Sequence, residues 1–461
     1  MVESVDVAVI GAGVVGTAIA REIGRSNRSC LLIEARSDVG DATSKANTAI
    51  LHTGFDAPVG SLESRLVRRG HVLLREYAEQ TGIPIERTGA AVVAWTESQQ
   101  AELPGLLSKA LANHYDAAEL ISAETLYRRE PYLAPGARGA LAVPDESIIC
   151  PWTTTLAYAT DAAAAGVTLR LDTTVQGIGR DPDGTHLLDT SSGPVRARWL
   201  VNAAGLASAE INRMMGHDEF TITPRRGQLV VFDKFARRLV SSIILPIPTG
   251  TTKGVLVAPT IYGNLLVGPT AEDLPDPTDT ATTPDGLQSL VAAGVAIVPE
   301  LAGEEVTNSY AGLRAASEHR DYQVSCEAER HYVCVGGIRS TGLSASLALA
   351  EHVVELMTGA GYPVVTRAGA PAPARQPNLG EAFMRPAGDP AAVAADPEYG
   401  RIVCFCERVS RGEVRDALAS TVPPRDLAGV ARRTRATNGR CQGFYCAAEV
   451  ATMLRSESPS R

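Results

Sequence analysis

Two kinds of apolar pattern alternate along the chain. Residues 5–10 (VDVAVI) form a short, nearly continuous apolar run, as expected of a strand covered on both faces. Residues 17–25 continue with helical spacing, and residues 30–33 (CLLI) form a second apolar run that ends at Glu34. The pattern returns at residues 199–205 (WLVNAAG), a short strand ending in small residues. It returns again at residues 332–342 (YVCVGGIRSTG), a strand and glycine turn ahead of an apolar helical stretch, 343–357. Between these lie strand-like segments at 89–95, 228–232, 254–257 and 264–268. Beyond residue 365 the pattern breaks. Residues 366–400 are rich in Ala and Pro and predict an extended linker. Residues 410–419 predict a helix, with Ser410 as N-cap and Glu413 completing a capping box, and a second helix is predicted after Cys446.

The turn after the first strand is Gly11-Ala12-Gly13-Val14-Val15-Gly16. Gly11 permits a tight turn, Gly13 lets the backbone approach a pyrophosphate, and Gly16 allows close helix–strand packing. The following helix N-terminus attracts phosphate charge. Glu34 is spaced to accept a hydrogen bond from a ribose 2′-hydroxyl, which selects FAD or NAD over NADP. Residues 41–54 (DATSKANTAILHTG) are small and polar and suit a loop laid along a flavin, so FAD is the expected cofactor. The later turn at Gly336-Gly337 would aim backbone N–H groups at the electron-rich end of the isoalloxazine ring.

With 461 residues, one to three domains are expected. A net charge of −9 argues against general nucleic-acid binding. The charge is uneven: residues 399–461 hold 11 Arg against 6 acidic residues. That basic segment either faces an acidic partner or is a mixed-charge surface. The chain start shows no signal peptide, and no apolar run reaches membrane-spanning length. A reducing cytoplasm is therefore expected, in which cysteines bind metal more readily than they form disulfides. Cys30, Cys150, Cys326 and Cys334 sit in apolar stretches and read as core. His71, His114, His186, His217, His319, His331 and His352 show no metal-ligand spacing.

The remaining cysteines form two close pairs, Cys404-Phe405-Cys406 and Cys441-Gln-Gly-Phe-Tyr-Cys446. Four thiolates hold either a [2Fe–2S] cluster or a zinc ion. The C-x-C pair is tight for zinc, and spacing alone leaves both metals open. Gly439 and Gly443 would let backbone N–H groups approach the sulfurs. Arg432, Arg433, Arg435 and Arg440 crowd the same stretch, either to offset cluster charge, to dock an electron acceptor, or as structure.

This order of segments resembles the D-amino-acid-oxidase-type flavoprotein superfamily. Within it, NTAILHTGFDAPVGSLESRLVRRG, the Ile83-Pro84 stretch ending GAAVVAW, ESIICPW, PRRGQ, GPTAED and AGLRAAS resemble FAD-dependent glycerol-3-phosphate dehydrogenases of the anaerobic, or type 2, kind. VCFCERV with RRTRATNGRCQGFYC resembles their fused bacterioferritin-associated-ferredoxin-like domain. L-2-hydroxyglutarate dehydrogenases share the His-x-Gly loop. The resemblance implies an α/β fold: a Rossmann-like FAD-binding domain (about 1–85, 150–215 and 325–365) interleaved with an antiparallel-sheet substrate domain (about 86–149 and 216–324). The linker at 366–400 and a small α-helical iron–sulfur domain at 401–455 would follow. It implies oxidation of sn-glycerol 3-phosphate or a closely related anionic hydroxy substrate, with electrons passing through the cluster to an acceptor protein or quinone. Peripheral membrane association through that partner stays open. The alternatives are a 2-hydroxy-acid dehydrogenase or oxidase, an enzyme acting on an amine or amino acid, and an electron-transfer or iron-handling flavoprotein reduced by a partner.

Dehydrogenation of an alcohol needs a base for the hydroxyl proton and cations for the anionic end of the substrate. His52, in the flavin loop, is the candidate base; alternatively it closes that loop. Arg314 matches the arginine of the family that grips the substrate anion. Arg339, with Arg314, would hold the phosphate or carboxylate of the substrate; it departs from a family pattern that often carries an acidic or neutral residue there, and the added cation keeps a 2-hydroxy acid open. Arg225 and Arg226 either reach the pocket or form a solvated face. The candidate cofactor contacts are Gly11, Gly13, Gly16, Glu34, Ala35, Lys45, Asn47, Val175, Gly205, Gly337 and Ile338. The candidate metal ligands are Cys404, Cys406, Cys441 and Cys446.

Overall fold

The computed structural model describes residues 2–248 and 254–457. Strand β1 (Glu3–Ile10) lies in the middle of an eight-stranded sheet. It runs parallel to β2 (Cys30–Ile33) on one side and to Val195–Asn202 on the other. Thr168–Arg170 extends the sheet beyond β2, and Tyr332–Gly336 pairs parallel with Leu200–Asn202. Antiparallel strands complete it at the other edge. Helix α1 (Val14–Gly24), helix Pro151–Ala164 and helix Gly342–Gly359 pack together over this sheet. Their apolar faces share one core with Val7, Val9 and Leu32. The parallel strands are buried on both sides, which is why they read as continuous apolar runs.

A nine-stranded sheet forms the second layer. Its spine is the long antiparallel pair Thr223–Phe232 and Val306–Ala316. The sheet is not wholly antiparallel: Ile243–Pro246 pairs parallel with Ala90–Ala94. A strand pair so far apart in sequence carries no local turn signal, so its direction is set by tertiary packing. Three short strands, Ile50–Leu51, Ile85–Glu86 and Ser147–Ile149, form a small sheet of their own.

Residues 366–381, expected to be a linker, are tied along the main body. Thr366 bridges Ser26, Ala374 N–H donates to Asp161, Gln376 N–H to the Thr81 carbonyl, and Glu381 N–H to the Ile261 carbonyl. Further along the same expected linker, residues 366–400, lies a short helix, Pro390–Ala395. Alanine-rich sequence is consistent with either state; the partners decide.

The C-terminal unit is a two-stranded hairpin, Ile402–Cys404 with Val409–Ser410, and three helices around Val403, Val414, Val430 and Val450. The Ser410–Glu413 capping box forms at helix Arg411–Leu418. Helix Ala447–Glu457 follows Cys446. Helix Leu427–Thr434 was not anticipated, because its arginines read as chemistry when they are the means of docking. Asp38 is wholly buried and lies 2.7 Å from both Arg432 Nη2 and Arg433 Nη1. Asp41 meets Arg432 at 2.7 Å, and Ser37 donates to Asp426 at 2.9 Å.

Candidate active site and cysteine centre

The glycine turn is sterically obligatory. Gly11 has φ +100°, and a Cβ there would meet the Ala203 carbonyl at 2.5 Å. A Cβ on Gly16 would lie 1.8 Å from the Gly11 carbonyl. Helix α1 begins after Gly13 with no acid in its first turn; Ser44 Oγ accepts from Val14 N–H at 2.9 Å, and the positive end of the helix still favours an anion. Glu34 accepts from Ala12 N–H at 2.7 Å and Arg36 N–H at 2.9 Å. Burial pushes its carboxyl up against these donors. Each oxygen retains a lone pair for a ribose hydroxyl. The chain thus offers the parts of a dinucleotide cradle in register.

His52 follows the short strand Ile50–Leu51. Its N–H donates to Ser344 Oγ at 2.8 Å, and its Nδ1 lies 3.0 Å from Glu146 Oε2. Glu146 has no solvent exposure. Its other oxygen accepts from Thr53 N–H at 2.7 Å and Thr53 Oγ1 at 3.0 Å. A buried carboxylate needs every one of these donors. With Nδ1–H given to Glu146, the neutral imidazole carries its lone pair on Nε2.

Arg314 sits on the strand Val306–Ala316 directly opposite Arg225. Arg225 is held by Asp273 through two contacts, 2.6 and 2.9 Å. Arg226 meets Glu272 and Asp279. Both therefore belong to ion pairs of the sheet. Arg314 has no acidic partner and no hydrogen-bond acceptor among the described residues. Burial and the like charge of Arg225 push its pKa down. A half-buried cation without a counter-ion lacks a negative charge that a ligand can supply.

The four distal cysteines converge. The thiols of Cys404 and Cys446 are within hydrogen-bonding reach of each other, as are those of Cys406 and Cys441. Backbone N–H groups of Tyr445, Gly443 and Phe444 point at Cys441 and, against burial, hold its thiol below the usual range. Burial pushes the Cys446 thiol up to about 11. Gln442 (φ +49°) and Gly443 (φ +83°) turn the backbone into this sulfur-facing nest. A Cβ on Gly439 would lie 2.2 Å from Cys406 Cβ. Among the described residues no three His, Cys, Asp or Glu side chains are gathered as one ion would need. Four cysteine thiols in two pairs fit the donor set of a [2Fe–2S] cluster.

Known proteins show the same two parts. Residues 6–356 match the family described as FAD dependent oxidoreductase. The chain belongs to this family. Residues 402–456 match the BFD-like [2Fe-2S] binding domain. This flavoenzyme is 34% identical to a glycerol 3-phosphate dehydrogenase of Caloramator mitchellensis, over 98% of this chain and 94% of the other. It is 29% identical to a glycerol 3-phosphate oxidase of Mycoplasma pneumoniae over 77% of this chain and 95% of the other. The human mitochondrial L-2-hydroxyglutarate dehydrogenase matches at 28% over 58% of this chain and 61% of the other. In structure, the FAD-bound L-alpha-glycerophosphate oxidase of Mycoplasma pneumoniae superposes with a TM-score of 0.76 and 27% identity, covering 82% of this chain and 99% of that one. The flavoenzyme takes FAD and carries a [2Fe–2S] module.

The other predicted contacts fall as follows. Lys45 pairs with Asp41 at 2.8 Å. The Asn47 side chain closes its own loop, donating to the Ser44 carbonyl and accepting from Ala49 N–H, both within 2.9 Å. Val175 is buried beside Ile10 and Ile33, and Ala35 is exposed. Gly205 (φ +57°) faces open space. Gly337 (φ +62°) and Ile338 lead into helix Gly342–Gly359. Arg339 points its Nη2 at the carbonyls of Ser317 and His319, while its Nε is buried without a partner. Glu146 was missed from sequence. Its signal is the second acid of Asp145-Glu146, set directly before the buried strand Ser147–Ile149.

Proposed function

We propose that this flavoenzyme oxidises sn-glycerol 3-phosphate at its secondary carbinol and passes the electrons singly through the cysteine-bound cluster. Bound FAD supplies the hydride acceptor. The observation that carries the substrate class is Arg314, a half-buried guanidinium whose strand neighbour is another cation and which has no anion of its own among the described residues. A phosphate monoester fits it bidentately. The relatives acting on glycerol 3-phosphate support the same choice.

In this reading His52 Nε2 takes the hydroxyl proton as the C–H bond breaks. Glu146 holds the imidazole by its Nδ1–H and stabilises the cation formed. Arg339 steadies the turn at Gly337 and Ile338 and adds positive field beside the flavin. Gly11, Gly13 and Gly16 admit the pyrophosphate, Glu34 and Ala35 the adenosine ribose, and Val175 and Gly205 line its path. Lys45 and Asn47 shape the loop along the ring. Cys404, Cys406, Cys441 and Cys446 ligate the irons. The acceptor is a protein or a quinone, reached in the cytoplasm or at a membrane surface; no helix among the described residues is long and apolar enough to cross a membrane.

The test is an anaerobic titration of the cluster-intact protein with sn-glycerol 3-phosphate, with L-2-hydroxyglutarate in parallel. Flavin bleaching by the phosphate alone supports the reading. Bleaching by the hydroxy acid alone transfers the site to that substrate class. Stoichiometric peroxide in air would make the protein an oxidase.

A further inference from the structure

We propose that the Trp152–Tyr262 ring stack, clamped by Arg435, is the contact through which electrons cross from the flavin site to the cysteine cluster. The inference rests on the flavin lying along residues 41–54. Trp152 is the second residue of helix Pro151–Ala164, and its Nε1–H donates to the Lys45 carbonyl at 3.0 Å. Its ring stacks on Tyr262 with centroids 5.2 Å apart and planes at 25°. Arg435 arrives from the other domain. It ends helix Leu427–Thr434 in the left-handed conformation, φ +74°. That conformation turns its side chain back over the main body. Its guanidinium carbon lies 4.1 Å from the Tyr262 ring centroid and 5.7 Å from that of Trp152. Its Nε–H donates to Glu407 Oε2 at 3.2 Å, and Glu407 follows Cys406 in the chain.

Loop carbonyl, indole, phenol ring, guanidinium, carboxylate and ligand cysteine thus form one unbroken series of contacts. Arg435 and Glu407 are both buried, so no water layer interrupts it. Electron transfer weakens steeply across empty or solvent-filled gaps, and a contact chain avoids them. The cation on the two ring faces also lowers the energy of negative charge passing through them.

The electrons balance as follows. The substrate delivers two electrons with its hydride, and the hydroxyl proton leaves through His52. One electron then crosses and reduces one ferric ion of the cluster to ferrous. The second follows when the cluster has passed the first to a one-electron carrier outside the protein. The flavin proton is released to solvent.

The experiment starts from the holoenzyme with its flavin reduced by light, so a failure of the substrate assignment leaves it intact. Electron arrival at the cluster is followed by freeze-quench electron paramagnetic resonance. Arg435→Gln and Tyr262→Leu are compared with Tyr262→Phe, which keeps the ring and loses only its 3.0 Å contact with Cys150 Sγ. Iron content and protease resistance of residues 366–400 report whether the domains remain docked. Loss of the fast cluster phase in the first two, its retention in Tyr262→Phe, and intact docking are expected. A wild-type fast phase in Arg435→Gln and Tyr262→Leu would overturn the proposal. It would move the crossing to another bridge, such as Gln442 beside Cys441, which donates to the Thr307 carbonyl at 2.9 Å, or Arg440, which pairs with Asp233 at 2.8 Å. A slow phase accompanied by new cleavage or iron loss would also overturn it, because docking and not the contact would then be at fault.

Discussion

His52 Nδ1 lies 3.0 Å from Oε2 of Glu146, a carboxylate wholly removed from solvent. The pair joins residues 94 positions apart in the chain. Burial makes Glu146 dependent on its donors, and that dependence holds the ring in one orientation. Replacing His52 by Ala is expected to slow substrate-driven flavin reduction by about 10²–10⁴-fold with FAD still bound. Single-turnover absorbance measures it; an unchanged rate would remove His52 from the chemistry.

Glu146→Gln changes the hydrogen-bonding demand without changing shape. A drop in kcat of about 10- to 100-fold with little change in KM is expected, as for partners that orient an imidazole. Glu146→Asp should recover part of it. A purely structural role would lower the melting temperature and leave kcat of the folded fraction untouched.

Arg314→Met removes the cation that has no partner. The loss of a charged, hydrogen-bonded contact is worth about 1.5–3 kcal/mol, so KM for the phosphate substrate should rise roughly 10- to 150-fold. The ligand-free protein should be no less stable, because a desolvated charge is lost with no ion pair broken. A lower melting temperature without ligand would contradict this account.

Asp38 is the anchor of the C-terminal unit. Burial alone would raise its carboxyl, but Arg433 and Arg432 hold it below the usual carboxylate range. A depressed folded value means the stabilisation is complete above the ordinary value of about 3.9 and is lost as pH falls through the lower folded one. Docking, followed by proteolysis of residues 366–400, should therefore persist at neutral pH and fail in acid. Asp38→Ala should cost about 3–5 kcal/mol by leaving the buried Arg433 guanidinium without an anion, while Arg432 keeps Asp41. Equal protease resistance of variant and parent would refute it.

Gly439→Ala would place a methyl carbon 2.2 Å from Cys406 Cβ. Backbone must move to admit it, so iron and sulfide content should fall while FAD content is kept. Full cluster loading in the variant would show that the nest is more yielding than its geometry implies.

Much of this protein was legible from short-range pattern. The apolar run, glycine turn and acidic strand end at residues 5–34 identified the nucleotide cradle, because each constraint there is local. The spacing of four cysteines marked a metal-binding module, with iron chosen over zinc by its resemblance to ferredoxin-like domains, and the Ser410–Glu413 capping box placed a helix start to the residue. The partners of charged residues were decided only by the tertiary structure. Arg432 and Arg433 belong to Asp38, Arg225 belongs to Asp273, and Arg314 belongs to no acid among the described residues. Glu146 acquired its partner His52 when two short strands met. The parallel pairing of Ile243–Pro246 with Ala90–Ala94 was settled in the same way. Turn and helix preferences act over a few residues and are written in the chain. The choice of partner for a charge depends on which surfaces burial brings together, and that depends on the whole fold.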